Sequence, residues 1–177
     1  FNGSTSRMEA STFPYPNGAH TLACWVRLDI NNPPSSGYGL IVGWTAIPSI
    51  TRTSLLYIAG DGRVRFLVSA DGTSAVSPFA ETGTNHLTNN VWAHLAGVYD
   101  PDALVHRVYV NGNLVAEQPA PAALAAQPGY VELGSWNSGT NGTYLDGRMA
   151  NACIFDKALT QQEIKWLMSP DGTYQNL

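Results

Sequence analysis

The chain has 177 residues, 44% hydrophobic but only 12% charged, with a net charge of −4 and a pI near 5.4. That length buries roughly 70% of its unfolded surface, so folding requires neither metal nor disulfide. The low charged fraction and the lack of a basic footprint argue against nucleic acid and anionic membrane surfaces as partners, and no run of about 18 apolar residues exists to span a bilayer.

In chain order, strand-like runs fall at Arg7–Ala10, Thr21–Leu28, Leu40–Trp44, Ser54–Ala59, Arg63–Ser69, Val91–Tyr99, Arg107–Val110, Asn113–Glu117, Tyr130–Leu133 and Arg148–Phe155. Thr21–Leu28 alternates cleanly: Leu22, Cys24, Val26 and Leu28 share one face, and Ala23, Trp25 and Arg27 the other. Turn signals stand at Gly60-Asp61-Gly62 and Asp71-Gly72. In Arg107 to Gln118, Asn111-Gly112 sits between two β-forming runs and predicts a type I′ hairpin. Its register is fixed, because a one-residue slip would send Val108 and Val110 into water. Pro119–Pro128, rich in Ala and Pro, reads as a surface loop.

One helix is expected near the C-terminus. Thr160 and Glu163 have capping-box spacing, and Ile164, Leu167 and Met168 form an apolar stripe suited to docking on the core. Pro170 and Gly172 stop it. Many short strands with frequent turns indicate a two-sheet sandwich or a barrel rather than parallel βαβ units. No internal repeat is visible. With no signal peptide evident and Phe1 at its start, the chain is expected to be one domain, residues 1–177, excised or processed from a larger protein. Cys24 and Cys153 leave two states open, a bridge or two buried thiols.

Several segments carry a family likeness: FNGSTSRMEA at the start, HTLACWVRLD, VWAHLAGVYDPD, RVYVNGNLVA and LDGRMANACIFDKALTQQEI. Their order resembles the laminin-G-like and pentraxin branch of the concanavalin A-like lectin/glucanase superfamily, over nearly the whole chain. The resemblance implies an all-β, two-sheet antiparallel jelly-roll sandwich with one short C-terminal helix. It is weak for function, since that fold hosts lectins, hydrolases and structural modules.

Jelly-roll glucanases of this superfamily resemble one another in carrying an E-x-D-x-x-E strand, whose period of two lines carboxylates on one face. Here the five glutamates, Glu9, Glu81, Glu117, Glu132 and Glu163, include no two within six positions, so no single strand can supply that arrangement. Asp100 and Asp102 flank Pro101, where Asp commonly serves the turn itself. His20, His86, His94 and His106 show no paired-ligand spacing, and no G-x-S-x-G elbow occurs. His94, in the W-x-H pair with Trp92, is expected to be a packed imidazole rather than a ligand contact or base.

Pentraxin-type relatives bind calcium through acidic and amide oxygens of two rim loops. The corresponding stretches here read Arg52-Thr53-Ser54 before Leu55-Leu56, and Ser135-Trp136-Asn137-Ser138 after Leu133-Gly134. Hard cations need several oxygens at once, and the carboxylates are missing from both loops. No calcium site of that kind and no cofactor are expected. The resemblance instead brings Trp44, Arg52, Trp136, Asn137 and Tyr144 toward one rim, where aromatic rings can take a sugar's C–H face and amide and guanidinium groups add directed hydrogen bonds. Structural packing of Trp44 and Trp136 inside their loops is the competing expectation.

The sequence thus points to a non-catalytic, extracellular, cell-surface or virion module that binds carbohydrate or glycoprotein, with oligomerisation open. A structural or adhesive domain and a glycan-cleaving enzyme are the alternatives. Asn2-Gly3-Ser4 and Asn141-Gly142-Thr143 match the glycosylation acceptor pattern, which such a composition also yields by chance.

Overall fold

The computed structural model describes residues 1–10, 12–14, 16, 18–29, 37–46, 49–72, 79–125, 130–135 and 144–169. Among these, strands β1 (Met8–Ala10), β2 (His20–Leu28), β3 (Tyr38–Ala46), β4 (Ser49–Ile58), β5 (Val64–Val68), β6 (Ala80–Glu81), β7 (Ala93–Asp100), β8 (Val105–Val110), β9 (Asn113–Pro119), β10 (Tyr130–Leu133) and β11 (Gly147–Phe155) precede helix α1 (Gln161–Leu167). They form two antiparallel sheets, β1-β10-β3-β4-β5-β6 and β11-β2-β7-β8-β9, stacked as a jelly-roll sandwich. β6 has no counterpart in the sequence reading. It is two residues long, too short to show any period, and exists by pairing with Arg65 and Phe66.

The period of two decides which residues enter the core. Leu22, Cys24, Val26 and Leu28 of β2 face Leu56, Ile58, Val64, Phe66 and Val68 of the opposite sheet, all buried. The outer face of β2 is also covered. Ala23, Ala96, Val98 and Tyr109 form a second buried cluster under Leu159 and Ile164, so the stripe on α1 docks on the five-stranded sheet. Thr160 caps that helix, accepting from the Glu163 N–H at 3.3 Å, while Glu163 Oε2 accepts from the Thr160 N–H at 2.7 Å. The helix ends with Met168 as C-cap; Pro170 and Gly172 lie outside the described residues.

The β8–β9 turn has φ of 49° at Asn111 and 73° at Gly112, both positive as a type I′ turn demands. Val108 and Val110 reach the core on one face and Tyr109 lies beneath α1 on the other. Pro119–Pro128 is more than a surface loop where it is described. Ala120 and Leu124 pack on the core, the Ala125 N–H donates to Ser69 O at 3.1 Å, and the Tyr99 hydroxyl donates to Pro121 O at 2.7 Å. Small apolar side chains let this segment close one side of the sandwich. Cys24 and Cys153 are free thiols.

Candidate functional site

Register brings two of the expected site residues together. Trp44 on β3 pairs with Arg52 on β4 and, on its other side, with Tyr130 on β10. The β3–β4 ladder is irregular on both sides of Trp44, the kind of bulge that re-aims side chains at a sheet rim. Tyr144 forms a bridge with Ser135, five residues along from Tyr130, which is about 16–17 Å at strand rise. Tyr144 therefore stands at the other end of the β10–β3 ladder from Trp44 and Arg52. Trp136 and Asn137 lie outside the described residues. The hydroxyl of Ser135 is fully buried and has no hydrogen-bond partner among the described residues.

Around Tyr144 the fold assembles a polar cluster that the sequence does not announce. Glu9 on β1 and Glu132 on β10 are direct register partners, and their row continues through Val42, Leu55 and Leu67. Because Val131 and Leu133 fill the core, this row lies on the outer face of the six-stranded sheet. Arg7 Nε donates to Glu9 Oε2 at 3.1 Å. Its hydrogen bonds to Glu9 and then to Tyr144, with the fields of Glu9 and Glu132, raise its pKa above the ordinary arginine value against the opposing effect of burial. The separation of glutamates along the chain is true of single strands, but it is silent on a first strand that pairs with the tenth.

The carboxylate pair fits neither metal nor proton transfer well. Direct antiparallel partners place their Cα atoms about 4.5–5.5 Å apart, compatible with two cooperating carboxylates. Yet Glu132 is fully buried, and the guanidinium of Arg7 holds Glu9. Among the described residues no group of three or more His, Cys, Asp or Glu side chains gathers as a cation site. A calcium ion of pentraxin type does not fit here, since the positive charge beside Glu9 is already supplied by the protein.

Other residues weighed from the sequence take structural places. The Asp100 carboxylate accepts from the Ala103 N–H and from Arg107, each at 3.1 Å, and so serves its turn. His94 is buried, edge-on to Trp25 with ring centroids 5.4 Å apart, and burial lowers its pKa to about 4. Asn2 Oδ1 accepts from the N–H groups of Ser4, Thr5 and Ser6 and thereby shapes the N-terminal turn. At the opposite edge of the six-stranded sheet, on the same outer face, Arg63 and Arg65 both bond Glu81, and the Arg65 guanidinium lies 4.9 Å from the Phe79 ring centroid.

Between the edges of the two sheets is a pocket of about 220 Å³, lined by Met8, Phe13, Ile41, Leu133, Cys153 and Ile154 among others. Its walls are nearly all apolar. Glu9 is the one charged residue in its lining, and a sugar requires several convergent polar groups.

The chain matches the family model Laminin_G_3, described as concanavalin A-like lectin/glucanases superfamily, over residues 2–165. It belongs to that family. The heptameric SAP-like pentraxin from Limulus polyphemus superposes with a TM-score of 0.66 at 15% identity, over 98% of this chain and 80% of the pentraxin. Trypanosoma rangeli sialidase, in complex with a difluoro-KDN, gives a TM-score of 0.70 at 18% identity, over 93% of this chain but only 26% of the sialidase. Domain 4 of AbnA, a GH43 extracellular arabinanase from Geobacillus stearothermophilus in complex with arabinotriose, gives 0.67 at 16% identity, over 96% and 75% of the two chains. At these identities the likeness to solved structures speaks for the fold. A search of curated protein sequences finds no match.

Proposed function

We propose that this laminin-G-like domain is a non-catalytic module, part of a larger protein, that binds carbohydrate or glycoprotein outside the cell. Trp44, Arg52, Trp136, Asn137 and Tyr144 are its proposed ligand contacts. The observation that carries this reading is the register pairing of Trp44 with Arg52, a ring and a guanidinium at adjacent positions of an irregular sheet rim. At the other end of the same ladder, Tyr144 is bonded to Arg7 beside Glu9 and Glu132. The Tyr144 hydroxyl, the Arg7 guanidinium and the exposed Glu9 carboxylate there match the donors and acceptors of sugar hydroxyls.

Catalysis receives less support. An acid/base pair must touch its substrate, and Glu132 is closed off from solvent. An assembly role is favoured by one feature, the exposure of edge strand β9, where Leu114 and Val115 stand in solvent. Light scattering separates the two readings: a stable ring or trimer without sugar affinity supports assembly.

A glycan array probed with the intact protein tests the binding reading. At least one immobilised glycan should retain it, and Trp136→Ala should abolish that retention. Failure to bind any glycan on a broad array contradicts the proposal.

A further inference from the structure

Two arginines stand side by side on the opposite face of the molecule. Arg27 of β2 and Arg148 of β11 are direct register partners, on the outer face of the five-stranded sheet and beyond the cover of α1. Like charges directly opposite on antiparallel strands repel, in an arrangement that folding alone gives no reason to keep. Asp29 answers one of them, accepting from Arg27 Nε at 3.3 Å and Nη2 at 2.9 Å. Arg148 is exposed, and among the described residues its side chain takes part in no ion pair or hydrogen bond. The other acid of this region, Asp146, turns its side chain against Gly3. The patch therefore carries two guanidinium groups against one carboxylate, on a chain whose net charge is −4.

Aromatic surface adjoins the charge. Trp25, two residues before Arg27 and so on the same face, is half-buried and held edge-on by His94. Trp92, immediately before β7, is 40% exposed. Ala150, the register partner of Trp25 on β11, is small and exposed, which leaves the edge of the Trp25 row open. His94 is packed from the side and uncharged at neutral pH, so it serves as a support for the Trp25 ring and adds no charge of its own.

We propose that this face is a second ligand site, for an anionic saccharide, in which Arg148 and Arg27 hold a carboxylate or sulfate while Trp25 and Trp92 carry the sugar ring. Guanidinium groups suit planar, bidentate recognition of such anions, and a bound anion removes the repulsion between the two arginines. Indole faces accept the C–H surface of a pyranose. The inference extends the carbohydrate-binding reading to acidic glycans but uses none of its residues.

Titration calorimetry with three probes tests it: an oligogalacturonide, a sulfated dextran oligosaccharide and neutral dextran. The intact protein should bind at least one anionic probe, more weakly as salt rises; the pair of anionic probes distinguishes carboxylate from sulfate recognition. Arg148→Gln and Trp92→Ala, both at exposed positions, should each weaken that binding about tenfold, the scale of one lost charge-assisted or stacking contact. Anionic binding that is unchanged in Arg148→Gln overturns the proposal, as does failure of the intact protein to bind either anionic probe. Should the protein bind neutral glycans on the array but no anionic one, this inference falls while the proposed function stands. Binding of no glycan at all removes both.

Discussion

Glu9 and Glu132 face one another across the β1–β10 ladder, and Arg7 bonds the first while its field reaches the second. Two acids at that spacing repel unless a cation is near or one is protonated. Replacing Arg7 by Gln should therefore lower Tm at pH 7 by roughly 2–4 °C, the shift expected for about 1 kcal/mol in a chain of this size. Raising the salt concentration should shrink the difference between variant and parent, because screening weakens a partly exposed ion pair. Calorimetric scans at low and high salt check this; an equal deficit at both would mean that Arg7 acts through packing.

The buried imidazoles make the fold acid-sensitive in a defined window. Burial lowers both His20 and His94 to about 4 from an ordinary 6.5. The His20 Nδ1–H donates to Gly18 O at 2.9 Å, which alone would favour the charged ring, and Nε2 lies 2.7 Å from Ser54 Oγ; burial outweighs the carbonyl and keeps the ring neutral. A depressed pKa in the folded state means the unfolded state binds the proton first. Stability is thus intact above pH 6.5 and declines as pH falls from there to about 4, by on the order of 3 kcal/mol for each fully buried imidazole. Urea unfolding at half-unit pH steps should show the decline beginning near 6.5. A flat profile down to pH 5 would contradict it.

Gly97 lies at the centre of the sandwich, where a Cβ would stand 2.3 Å from Phe66 Cδ2. Phe66 has little freedom to retreat, because its ring meets His20 and His106 edge-on with centroids 6.3 and 6.0 Å away. Gly97→Ala should cost about 1–3 kcal/mol through overpacking, read as a lower urea midpoint. Full stability in that variant would show that the two sheets can separate locally without penalty.

The thiols should be nearly inert in the folded protein. Burial first, and the neighbouring Cys153 second, raise Cys24 far above the usual thiol range, and burial pushes Cys153 up to about 11. Thiolate is the reactive form, so a disulfide reagent at pH 8 should react slowly with the native chain and with both cysteines once it is denatured. Rapid labelling of one native thiol would count against this packing.

What the sequence disclosed was local. The Asn111-Gly112 turn, the alternation from Leu22 to Leu28 and the Thr160–Glu163 capping box each depend on residues a few positions apart, and each stands in the structure where the pattern places it. Pairing between distant strands left no such trace. β6 exists only because Arg65 and Phe66 offer it a ladder, and Glu9 meets Glu132 because β1 closes onto β10. Arg27 and Arg148 likewise become neighbours through the β2–β11 ladder, with nothing in either segment to signal the other. Among the expected contacts, Trp44 and Arg52 do pair, while Tyr144 stands at the other end of the ladder.

The central claim is sugar binding without sugar cleavage, and one titration addresses both halves. Whichever polysaccharide the array selects is titrated into the intact protein and into Trp44→Ala, and the recovered ligand is assayed for new reducing ends. The account predicts saturable binding by the parent, affinity at least tenfold weaker in Trp44→Ala, and no new reducing ends. Undiminished affinity in Trp44→Ala, or release of reducing ends that stops in Glu132→Gln, would contradict it.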